Sequence, residues 1–204
     1  RFGASTVLFQ LYQERTQIDA MLEHAEQSGT MQPALEPYKL LGGKLLAAVP
    51  LVPRAVDDFD FARSQDAAIR PMLFALVAYE FARRGEHASA ARVAEKLRDD
   101  LPDVTGIERG VYFLFLARTY SLCLAATNSR DAALPDDSAA PDDSAAANAA
   151  ALRSRYLRHA IDCLREASLA FPFFISGYNT EPDLTAVRAT PEFAALLSEL
   201  QPAK

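Results

Sequence analysis

The sequence predicts an all-α domain made of antiparallel helical hairpins and closed by a C-terminal capping helix. Three observations carry that reading. Half of the residues are hydrophobic, with abundant Ala and Leu and only eight Gly among 204 residues, a composition that favours helices because Ala and Leu lose least on entering one. Apolar residues recur at helical spacing over most of the chain. Gly or Pro punctuates those stretches at hairpin intervals.

The first helix is expected from Ser5 to about Gln27, with Val7, Leu8, Leu11, Ile18, Met21 and Leu22 on one face and Ser28-Gly29 as its stop. A second is expected from about Pro33 to Ala48, with Leu35, Tyr38, Leu41, Leu45 and Leu46 turned inward. The Gly42-Gly43 pair inside it reads as a mark of close helix packing. Residues 50 to 65, with Pro50, Pro53 and an acidic patch at Asp57, Asp58 and Asp60 alternating with Phe59 and Phe61, read as a connector that tucks its aromatics down. The Gly that a calcium loop requires is missing from it.

Helices are then expected from about Gln65 to Arg84, stopped by Gly85, from about Ala88 to Leu101, stopped by Pro102, and from about Gly106 to Ala126. The last of these is apolar nearly all round, which means burial on most sides. Pro135-Asp-Asp-Ser-Ala-Ala140 is repeated at once as Pro141-Asp-Asp-Ser-Ala-Ala146; a stretch with nothing large to bury, it reads as a disordered acidic insert at about 129–147. Helix resumes near Ala147 or Ala149 and runs to about Ala170. A final short helix has Thr190 as N-cap, Pro191 at its first position, and Phe193, Leu196, Leu197 and Leu200 facing inward. The organisation expected is an N-terminal helical segment at 1–65, at best a divergent repeat, followed by helical repeats at 66–204 with a cap at 181–200.

Charge and motifs exclude several functions. Of the net charge of −6, the stretch from Asn128 to Ala147 carries −4 through five Asp and one Arg, so the rest of the chain is close to neutral. That leaves no basic face for nucleic acid and no polybasic patch for anionic lipid. No wholly apolar run reaches the roughly 18 to 20 residues that span a bilayer, so no membrane insertion is expected. Cys123 and Cys163 lack the short paired spacing of a zinc or redox site and read as small core residues. His24, His87 and His159 are far apart and without a second metal ligand at helical spacing. Gly42-Gly43-Lys44 fails as a phosphate loop, since Leu follows it and Tyr38 stands where the leading Gly belongs. No catalytic residues, no metal and no cofactor are expected, and the chain is read as non-enzymatic. The opening Arg, with no signal pattern after it, suggests an excised or processed chain. A cytoplasmic location is expected, or a periplasmic one if a membrane-spanning parent carries it.

A spacing match links two places in the chain. From Ala90, steps of 4, 7 and 12 residues reach Ala94, Leu97 and Pro102, and from Ala160 the same steps reach Leu164, Ala167 and Pro172. The preceding helices align as Val77-Ala78-x-x-Phe81 and Leu116-Ala117-x-x-Tyr120. This pattern resembles the tetratricopeptide repeat family, in which small residues let two helices approach, large ones fill the groove between them and a proline ends the unit. Ala94 is small and Leu97 large where the family usually has the reverse. The resemblance implies hairpins stacked as a short right-handed superhelix, with Ala78, Ala90, Ala117 and Ala160 at the close approaches and Phe81 and Tyr120 as fillers. The closing stretch, Ala160-Ile-Asp-Cys-Leu-Arg-Glu-Ala167 and then Glu181-Pro-Asp-Leu through to Leu200, is similar to the ends of tetratricopeptide regions at the C-termini of large bacterial serine/threonine protein kinases. It implies a cap in which Leu184, Val187, Phe193 and Leu197 cover the last repeat. No kinase signature is present in the chain itself.

The resemblance also implies a concave face lined by the first helix of each pair, with Tyr79, Arg83, Leu114, Arg118 and Ser121 as the residues expected to touch a protein or peptide ligand, or a neighbouring domain of the same protein. Aromatic and Arg side chains supply most interface energy, which puts Tyr79, Arg83 and Arg118 first. The alternative is a structural or oligomerising accessory domain of a larger regulatory protein, such as a bacterial serine/threonine kinase, whose groove is filled by its own N-terminal helices.

Overall fold

The computed structural model describes residues 32–99, 101, 104–132 and 143–200. The helix expected over Ser5–Gln27, and with it His24, lies outside them. Every regular element among the described residues is helical: α1 (Gln32–Ala48), a 3-10 turn (Val49–Leu51), α2 (Val52–Asp57), α3 (Phe59–Arg63), α4 (Arg70–Arg83), α5 (His87–Asp99), α6 (Gly106–Ala132), α7 (Asp143–Ala170), 3-10 segments at Pro172–Gly177 and Pro182–Leu184, α8 (Thr185–Arg188) and α9 (Pro191–Leu200). The expected all-α class is what the chain adopts. Two compact units, Arg1–Leu76 and Val77–Lys204, divide it inside α4, eleven residues beyond the boundary read from the sequence.

In the first unit, residues 50 to 65 are short helices rather than a connector. Pro50 and Pro53 each sit in the first turn of one, where a missing N–H costs nothing and the fixed φ suits the helix. Asp58 then caps α3, its Oδ1 accepting from the Phe61 N–H at 3.0 Å, and Phe59 stacks on Phe74 with ring centroids 5.1 Å apart. Arg54 and Arg63 lie over the rings of Phe61 and Phe59. In α1 a Cβ at Gly42 or Gly43 meets nothing within 4 Å among the described residues. Leu40 and Leu46 of this helix are exposed, and Leu41 and Leu45 half-buried.

The second unit is held by its longest helices. α4 ends where expected: Gly85 takes φ +76°, and the Glu86 N–H reaches back to the Phe81 carbonyl at 2.9 Å, turning the chain into α5. α5 packs on α6, and α6 packs along α7. The four small residues expected at close approaches, Ala78, Ala90, Ala117 and Ala160, are fully buried. Gly110 is a close approach, because a Cβ there would stand 2.7 Å from Phe174 Cε2 and 3.2 Å from Phe171 Cβ. The stretch Gly106–Asn128 of α6 is long and apolar enough to cross a membrane by composition, but most of it is buried inside the fold, as in the core helix of a globular domain.

Part of the stretch read as a disordered insert is helical. Ser129–Ala132 complete α6, and Asp143–Ala147 open α7, because extending a helix already nucleated by its packed half costs little, least of all through Ala145–Ala147. Residues 133–142 lie outside the described chain.

The C-terminal stretch packs on the longest helices of the second unit. Leu184, Val187, Phe193 and Leu196 are buried and Leu197 half-buried, while Thr190 Oγ1 accepts from the Phe193 N–H at 3.4 Å at the start of α9. Tyr178 anchors the segment leading there, its hydroxyl within reach of Ser168 Oγ at 3.0 Å and the Leu164 carbonyl at 3.1 Å; burial raises the phenol's pKa to about 12.

Candidate functional site

Of the residues expected to line a binding face, Tyr79, Arg83 and Arg118 come together, and a segment of the same chain lies against Tyr79 and Arg118. Tyr79 follows Ala78 in α4, and Arg118 follows Ala117 in α6, so the two occupy equivalent positions of the aligned repeats. Both point at the short stretch ahead of α8, Glu181 and the 3-10 segment Pro182–Leu184. Tyr79 donates its hydroxyl hydrogen to Asp183 Oδ2, and Arg118 pairs with Glu181 Oε2. Phe115 ties the two together: its ring meets that of Tyr79 edge-on at 5.9 Å, and the Arg118 guanidinium lies 5.6 Å above it.

The electrostatics follow from the burial. The side chains of Arg118 and Glu181 are only 12% and 14% exposed, so each charge depends on the other for what water would otherwise supply. Glu181 Oε1 has no hydrogen-bond partner among the described residues, and neither does Ser121 Oγ, one turn beyond Arg118 on α6. Burial, then the negative charge of Asp183, drives the Tyr79 phenol far above its ordinary pKa, so it stays a donor at any physiological pH. Arg83 NH1 lies 3.3 Å from the Tyr79 hydroxyl and is raised chiefly by that contact.

Accessibility separates the five residues. Tyr79 and Ser121 are buried, Leu114 and Arg118 are half-buried, and Arg83 is exposed. The open face that a groove-binding role requires is therefore absent at Tyr79 and Ser121. At Tyr79 the covering group is Asp183 of the Glu181–Arg188 stretch, the stretch expected as a cap for the last repeat, which also reaches α4. Arg188 stiffens this stretch, donating to the carbonyls of Glu181 and, at 3.4 Å, Tyr178, and to Thr185 Oγ1 at 3.0 Å.

A second polar cluster went unread in the sequence. Glu95 and Arg98 of α5 face Arg155 and His159 of α7 beside the Tyr120 ring, with Arg98 NH1 2.8 Å from His159 Nδ1. Its signal was only that Glu95 and Arg98, and Arg155 and His159, are each one turn apart on helices expected to lie close. Cys123 and Cys163 are free and buried, and burial raises the Cys123 thiol to about 12 and Cys163 higher. Among the described residues no three potential metal ligands gather.

The chain matches no protein-family model, no curated protein and no solved structure.

Proposed function

We propose that this chain is a non-catalytic helical-repeat domain that serves as a structural accessory of a larger regulatory protein, its concave face occupied by its own C-terminal segment. The observation that carries this reading is the use of two equivalent repeat positions, Tyr79 and Arg118, to hold two carboxylates of one stretch, Asp183 and Glu181. A face so engaged spends its polar groups on shape. Such a domain spaces or orients what is attached to it, and it does so through rigidity.

The competing reading, a groove that takes a peptide or neighbouring domain, is favoured by one observation: Arg83 stays exposed at the margin of the face while touching Tyr79. Pull-down from the source cell lysate with the intact chain and with an Arg83→Ala, Arg118→Ala double variant separates the two. The accessory reading expects unchanged capture together with a lower unfolding midpoint. Specific capture that disappears in a still-folded variant would establish the groove reading instead.

A further inference from the structure

Helices α5 and α7 meet through a polar seam. At one end the His87 Nδ1 lies 3.1 Å from the Tyr156 hydroxyl, and at the other Arg98 NH1 lies 2.8 Å from His159 Nδ1. Glu95 Oε1 sits between, 3.6 Å from Arg155 NH2 and 3.9 Å from His159 Nε2.

The Arg98 contact settles the state of the imidazole. A guanidinium has hydrogens to donate and no lone pair to accept with, so Nδ1 of His159 must carry the lone pair. The neutral ring then holds its proton on Nε2, facing Glu95. Protonation adds a hydrogen at Nδ1, the atom that Arg98 occupies. Two donors then confront each other, two cations come into contact, and a hydrogen bond between α5 and α7 is lost. Charged and titratable groups face the ring from three helices: Glu95 and Arg98 from α5, Tyr120 from α6, and Arg155 and Asp162 from α7 itself. Burial and the two arginines oppose the cation; Glu95 and Asp162 favour it without hydrogen-bonding it.

We propose that the Arg98–His159 contact is an acid-released latch: neutral His159 holds α5 against α7, and its protonation at Nδ1 unseats α5. Burial first, and the Arg98 charge second, lower the His159 pKa below the ordinary value near 6.5. The unfolded chain therefore takes up this proton before the folded one does. Stability attributable to His159 is whole above about pH 6.5 and declines as pH falls from there towards the folded-state value. The latch is independent of what occupies the Tyr79 and Arg118 face.

The test compares the wild-type chain with His159→Gln and His87→Gln by urea unfolding and amide hydrogen exchange between pH 7.5 and 5.5. Gln keeps an acceptor for Arg98 and does not titrate. The expected result is a falling midpoint and lost α5 protection in the wild type and in His87→Gln, with both retained in His159→Gln. An equally steep fall in His159→Gln overturns the proposal. If that variant does not fold, long-range proton–nitrogen spectra of the wild type decide the matter: an Nε2–H tautomer at pH 7.5 that titrates below about 6.5 supports the latch, whereas an Nδ1–H tautomer or a ring already charged at pH 7.5 refutes it.

Discussion

Ala78 and Ala117 stand at the same place in two helical hairpins and both are fully buried, yet their neighbours meet different surroundings. Three residues on, Phe81 is half-buried while Tyr120 is wholly buried, and Tyr120 carries a hydroxyl without a hydrogen-bond partner among the described residues. One residue on, Tyr79 meets Asp183 as a neutral donor, whereas Arg118 meets Glu181 as a charge. The spacing of small residues fixes how closely helices approach. It leaves open what each position costs, because the cost depends on partners far along the chain.

Energetic inequality of the equivalent positions is open to measurement. Arg118→Met leaves Glu181 buried and unpaired and should cost about 3–5 kcal/mol, read from urea unfolding; adding Glu181→Met should restore most of it. Tyr79→Phe, which strips a neutral donor from Asp183, should cost less, about 1.5–3 kcal/mol by the same measurement. Equal losses at the two sites would mean that equivalence in the repeat is also equivalence in energy.

The fillers give a second contrast. Tyr120→Ala should cost about 3–5 kcal/mol in thermal or urea unfolding, the range for a large aromatic removed from a core, and Phe81→Ala distinctly less because part of that ring is already in water. At Gly110, Ala should cost about 1–3 kcal/mol, since its methyl would press on Phe171 and Phe174. The smallest effect expected is a gain: Tyr120→Phe should raise stability by about 1 kcal/mol if the hydroxyl is buried dry. No gain in the unfolding midpoint would place a water at that oxygen.

Local punctuation was legible in this chain and long-range pairing was not. Gly85 ends α4 and Thr190-Pro191 opens α9 as read, because turn and cap preferences act within four residues. The same local logic misled at Pro50 and Pro53, where a proline that stops one helix equally well starts the next. The five residues singled out for binding include both that grip the C-terminal stretch, yet their partners are 63 and 104 positions away, and no periodicity reports contacts at that separation. His159 was read only as an unremarkable helix residue, since its partner Arg98 belongs to another helix.

The hairpin of α6 and α7 outreaches the one before it. α6 and α7 have 27 and 28 residues, against 14 and 13 in α4 and α5, and the first turns of α7 carry exposed Ser144, Ala146, Ala147 and Asn148. The second copy of the duplicated hexapeptide runs into these turns, its last four residues, Asp143–Ala146, opening α7. Because Ser144, Ala146, Ala147 and Asn148 stand in water, the start of α7 is a place where residues can be added, or a reporter sequence spliced in, while the domain keeps its interior.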